Sequence, residues 1–197
     1  MHVLFEEDGT FKTATVLADN DSSLQVETAS GKRAKIKSAN VLLRFSAPSP
    51  GELLSQAEAA GQDIDTPFLW ECASDDEFLF SDFADDYFGH KASPVEATAL
   101  LQALHSAPIY FHRKGKGRFR KAPPDILAAA LAGLEKKRQQ ALTIERMVAE
   151  LTAFTLPPEL KPLLDQLLYK PDRNRPETKA LESACAETGL SALHLLD

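Results

Sequence analysis

The hydrophobic period of this chain changes once, at Ser46-Ala47-Pro48-Ser49-Pro50, and that change limits the fold more than any other feature. Before it, short alternating segments run Val3 to Phe5, Phe11 to Leu17, Leu24 to Glu27, Arg33 to Ile36 and Val41 to Phe45. Alternation sends one side of a strand inward and the other outward. Turn residues separate the segments: Asp8-Gly9 after the first, Asp19-Asn20-Asp21 after the second and Ser30-Gly31 before the fourth. They suit the conformations that hairpins require. About five short strands in about 45 residues predict a small SH3-like β-barrel over residues 1–47, because closure protects edges that so small a sheet could not otherwise cover.

Beyond the Pro-containing linker the spacing is helical. Ser49-Pro50 is an N-cap followed by a first-turn proline, and the pattern from Glu52 to Ala60 stops at Gly61. Pro67 to Ala73 opens a second helix, and Ser81 to Phe88 a third, with Phe83, Tyr87 and Phe88 on one side and Gly89 at its end. Ser93-Pro94-Val95-Glu96 fits a capping box and starts a helix from Pro94 to about Ser106. Then come Ile109 to Arg113, the turn Lys114-Gly115-Lys116-Gly117, and Arg118 to Lys121, a hairpin by length and composition. Helices followed by a basic hairpin predict a winged-helix-like domain over residues 48–122, with the hairpin as its wing. From Asp125 to Phe154 apolar residues recur as one helical stripe that includes Ile126, Leu127, Leu131, Leu134, Leu142, Ile144, Met147, Val148 and Leu151. Leu156-Pro157-Pro158 ends it. Helices from Glu159 to Leu168 and from Pro176 to Glu187 follow, the latter closed by Gly189, so residues 123–197 read as a long helix and a helical tail. The fold class is α+β.

A formal net charge of -7 excludes polyanion binding through bulk charge, so any such contact must be a local patch. The hairpin is that patch. Tyr110, His112 and Lys114 alternate with Ile109, Phe111 and Arg113, and on the return strand Arg118 and Arg120 alternate with Phe119 and Lys121. One face can pack while the other projects Arg, Lys and His toward phosphates, with Tyr110 and Phe119 as stacking rings. The competing reading is a solvated wing whose charge balances an acidic body. A second basic strand carries Arg33, Lys35 and Lys37 on one face and Ala34 and Ile36 on the other. It suits a further phosphate contact or a lysine-protected sheet edge.

The acidic run from Asp65 to Asp86 includes Asp75, Asp76 and Glu77 but has no EF-hand spacing, and reads as a solvated surface that repels stray polyanion or docks on the basic wing of a neighbouring molecule. The histidines at 2, 90, 105, 112 and 194 have no metal-ligand spacing, and no nucleophile elbow, Walker loop or dinucleotide fingerprint occurs. Catalytic residues and metal ligands are therefore assigned to none. Cys72 and Cys185, far apart and without a CxxC pair, read as buried thiols. The first residues lack the pattern of a signal peptide, and no apolar run approaches the roughly 20 residues that span a bilayer. The expected location is cytoplasmic, with no membrane partner.

Two stretches resemble a known family. Leu104 to Arg120 with the following long helix is similar to the region ahead of the catalytic domain in bacterial ribonuclease II family proteins, and Tyr169-Lys170-Pro171-Asp172-Arg173-Asn174-Arg175-Pro176-Glu177 resembles the segment that leads into that domain. The resemblance covers most of the chain from about Ser93. It implies a parent that is a 3′–5′ exoribonuclease, a hydrolase whose aspartates hold magnesium in a catalytic domain absent here, so no cofactor is expected in this chain. The usual N-terminal binders of that family are cold-shock-type barrels, so only the general role of gripping substrate is carried over. The expected function is RNA binding: Tyr110, His112, Arg113, Lys114, Lys116, Arg118, Phe119, Arg120 and Lys121, extended by Arg33, Lys35 and Lys37, guide single-stranded RNA toward the missing catalytic domain, itself an expected partner. The alternatives are a protein-interaction module and a winged-helix DNA-binding protein. The helix Pro94–Ser106 carries no Arg or Lys for a major groove, which weakens the second.

Overall fold

In the computed structural model, which describes residues 1–196, all five alternating segments of the first part form strands. They are β1 (His2–Glu7), β2 (Thr10–Asp19), β3 (Ser23–Thr28), β4 (Arg33–Lys37) and β5 (Val41–Phe45). Asp8 and Gly9, at φ 53° and 75°, make the turn between β1 and β2, a conformation in which both central residues are left-handed. The strands pair antiparallel in the order β4-β3-β2-β1-β5.

The expected closure does not occur, since β4 and β5 are unpaired edges joined by the 3-10 turn Ser38–Asn40. Alternation along β1 supplies the reason. Val3 and Phe5 face a small core with Ala14, Leu24, Val26 and Ile36, while Leu4 between them points the other way into the main core with Phe45, Leu53 and Leu100. The second face of the sheet is covered by helices, so the sheet does not have to close on itself to hide it. Register shifts between Leu4 and Phe5 and between Val16 and Ala18 add a residue to β5 and to β2, and such bulges bend the strands that carry them.

The linker leads into α1 (Pro50–Gly61) with Ser49 at the N-cap, its hydroxyl donating to Glu52 Oε2 at 2.7 Å and not capping the backbone. α2 (Thr66–Cys72) is capped by Asp65, which accepts from the Phe68 amide. α3 (Phe80–Phe88) ends at Gly89 with φ 72°, and α4 (Pro94–Ser106) has the full capping box of Ser93 and Glu96. Its Leu100, Leu101 and Leu104 pack with Leu53, Leu69, Phe80, Phe83, Phe111 and Phe119. The hairpin is β7 (Phe111–Gly115) and β8 (Arg118–Lys121), and a two-residue strand, β6 (Phe78–Leu79), adds to the far side of β8 to give a sheet of order β6-β8-β7.

The chain divides into two compact units, Met1–Leu127 and Ala128–Asp197, so the first sheet and the helices around the hairpin share one unit. α5 (Pro124–Thr152) is one continuous helix. In the second unit its Met147 and Leu151 meet Leu160, Leu167 from α6 (Leu164–Tyr169), Ala180, Leu181 and Ala184 from α7 (Pro176–Thr188), and Leu195 and Leu196 from α8 (Ala192–Leu196). The expected stripe is therefore buried only in part: Ile126, Leu131, Leu134 and Leu142 are exposed. Among the described residues, no helix is long and apolar enough to cross a membrane.

Candidate nucleic-acid interface

The hairpin turns more tightly than its composition suggests. Gly115 pairs with Arg118, leaving only Lys116 and Gly117 between them, at φ 52° and 73°. Both central residues are left-handed, as in a type I′ turn. A side chain at Gly117 would place its Cβ 2.7 Å from Cδ1 of Phe80 and 3.4 Å from Cδ2 of Leu42. The tip is thus seated on the core, and glycine is required there for conformation and for space. The register shifts between Arg113 and Gly115, so Lys114 is the extra residue of a bulge.

Phe111 and Phe119 are buried at 0% and 3% exposure. The expectation that Phe119 stacks bases is corrected: its ring is part of the core, packed with Phe111 and the α4 leucines. Tyr110 is half-buried against the same core. His112, Arg113, Lys114, Lys116, Arg118 and Arg120 are exposed.

These cations are not equally free. Arg118 lies 3.7 Å from Glu77, Arg120 Nε donates to the Asp75 carbonyl at 3.1 Å, and Lys121 Nζ lies 3.2 Å from Asp75 Oδ1. The Lys121 ammonium also sits 5.0 Å over the Trp70 ring with its side chain only 14% exposed, while Trp70 Nε1 donates to the Ala122 carbonyl at 2.9 Å. Lys121 is thus corrected from an open phosphate ligand to a held residue that fastens the end of β8 to α2. On the outer strand, Arg113 donates to Nε2 of His105 at 2.7 Å. That ring is held neutral, its pKa lowered first by burial and then by the Arg113 charge. Lys114, Lys116 and His112 have no ion pair or side-chain hydrogen bond among the described residues.

On the edge strand β4, Arg33, Lys35 and Lys37 are exposed while Ile36 is buried, the alternation expected there. Asp75 and Glu77, read from sequence as a solvated surface, are the residues that meet the return strand of the hairpin. The acidic composition was visible, but the pairing of Phe78 with Phe119 and Leu79 with Arg118 that brings the run there is not local in sequence. His105 and Trp70 carried no signal beyond residue type. Cys72 is exposed and not buried as expected; Cys185 is half-buried, and desolvation raises its thiol pKa. Among the described residues, no three His, Cys, Asp or Glu side chains gather as a metal site.

The chain matches no protein-family model, no curated protein and no solved structure.

Proposed function

We propose that the first unit is a single-stranded RNA-binding module of winged-helix type, carried on an SH3-like sheet, in a protein that resembles the pre-catalytic region of ribonuclease II family exoribonucleases. The strand order β6-β8-β7 with α3 and α4 ahead of the hairpin supports the winged helix, and the bulged sheet with its 3-10 turn between β4 and β5 supports the SH3-like reading. These residues grip. Cutting, and the magnesium it would use, are assigned to no residue of this chain.

The observation that carries the reading is the exposed, unpaired pair Lys114 and Lys116 on a glycine-built tip seated against Phe80, in a protein of net charge -7. A tip whose backbone is held by the core presents both lysines from a fixed base, so less backbone freedom is lost when they meet phosphate. Arg113, Arg118 and Arg120 flank it as further phosphate ligands. Tyr110, half-buried against the core, is assigned as the ring that meets an unpaired base.

The test is to replace Arg113, Lys114, Lys116 and Arg118 together by alanine and titrate single-stranded oligouridine by fluorescence anisotropy at several salt concentrations. Binding should weaken at least about tenfold at low salt, and the salt slope should fall by about 0.7 for each phosphate that is no longer neutralised, with little change in melting temperature. Unchanged affinity would refute the assignment.

A further inference from the structure

The segment Tyr169-Lys170-Pro171-Asp172-Arg173-Asn174-Arg175 joins α6 to α7 in the second unit. Its ends are fixed: Leu167 before it and Ala180 after it are core residues, and the Lys170 amide donates to the Gln166 carbonyl at 2.9 Å. Its middle is turned by Asp172, whose Oδ1 accepts from the Asn174 amide at 3.0 Å and whose carbonyl accepts from the Arg175 amide at 3.1 Å. Asp172 is thereby used within the turn, and Arg175 is tied to Glu177 at 3.2 Å. Lys170 and Arg173 remain exposed, with no carboxylate among the described residues within ion-pair distance. Beside them the Tyr169 ring is 79% exposed, the most exposed of the large apolar side chains among the described residues.

A ring left in water contributes no packing to the fold, and Lys170 and Arg173, on either side of Asp172 but beyond ion-pair distance of it, contribute no ion pair. Together they match an unpaired nucleotide: the ring offers a face to a base, and Lys170 and Arg173 offer charge to the phosphates on either side of it. A duplex buries its base faces in its own stack and cannot use the ring in this way.

We propose that Tyr169, Lys170 and Arg173 form a second contact for single-stranded RNA, with Tyr169 stacking one base and the two cations holding adjacent phosphates. The ligand's identity rests on the reading of the hairpin as an RNA binder, but the contact is carried by its own residues.

The test uses the full chain with Tyr169→Trp, titrated with single-stranded oligouridine and with duplex RNA at low salt. Native Trp70, the only tryptophan in the sequence, gives the background in the unsubstituted protein. The new indole should be quenched by the single strand and not by the duplex. Tyr169→Ala should weaken binding about fivefold or more, and Lys170→Ala with Arg173→Ala should lower the salt slope by about 1.4, an effect a merely structural loop would not have. An unquenched Tyr169→Trp protein that still binds by anisotropy overturns this contact and leaves the hairpin standing. Quenching that persists while alanines in the hairpin change nothing overturns the hairpin and leaves this contact standing. Absence of any binding overturns both.

Discussion

In the hairpin the return-strand cations are engaged by the chain itself, Arg118 and Lys121 by carboxylates and Arg120 by a carbonyl, whereas in the loop after Tyr169 only Arg175 is tied and its neighbours are open. The two turns are both basic and have different surroundings. The hairpin is clamped between the acidic bend before β6 and an aromatic core; the loop is held by its ends and by the turn at Asp172. Local charge in a sequence therefore states how many cations are present, and not how many can meet a phosphate. In the hairpin the available set shrinks mainly to Lys114 and Lys116, with Arg113 leaning on a neutral imidazole.

The hairpin depends most on Gly117. Gly117→Ala should cost about 2–4 kcal/mol of stability, combining a left-handed backbone with a Cβ that overlaps Phe80. Chemical denaturation measures it. Alanine at Arg173 should leave the midpoint unchanged, and a comparable destabilisation there would show that the loop is also part of a packed core.

The second comparison is electrostatic. Asp75→Asn with Glu77→Gln removes the acids facing β8 and should tighten single-stranded RNA binding two- to fivefold at low salt, because each such exposed pair contributes about 0.2–1 kcal/mol and competes with phosphate. Weaker binding, or no change, would mean that Arg118 does not face the ligand.

The smallest expected effect depends on pH. Burial and Arg113 lower the pKa of His105 in the folded protein below its ordinary 6.5, while Glu6 acts weakly in the opposite sense. The unfolded chain then takes up a proton that the folded chain resists, so this contribution to stability is present above about 6.5 and is lost as pH falls through the folded value. His105→Gln should flatten that part of the stability–pH curve. A curve identical to the parent's would remove His105 as its cause.

The positions of the first five strands, the capping box of Ser93 and Glu96, and the helix ends at Gly89 and Gly189 were legible from residues within a few positions of one another. The hairpin was legible too, as was the outward face of Arg33, Lys35 and Lys37. What was not legible needed a partner distant in sequence. The five-stranded sheet stays open because Leu4 finds a helical core, Phe119 is withdrawn as a stacking ring because it meets Phe111 and α4, and β6 exists only as an addition to β8. Leu131, Leu134 and Leu142 continue a helical stripe yet remain exposed. Periodicity states which face could be buried and cannot state that something arrives to bury it.

By itself, then, the sequence determined most of the elements, their order and the location of its basic turns, because turn chemistry, capping and hydrophobic period act over a few residues, while β6 and α8 went unread. Tertiary structure alone decided which cations are spent on carboxylates and which aromatic rings are withdrawn from solvent, because both depend on contacts between residues tens of positions apart, such as Lys121 with Asp75 and Gly117 with Phe80.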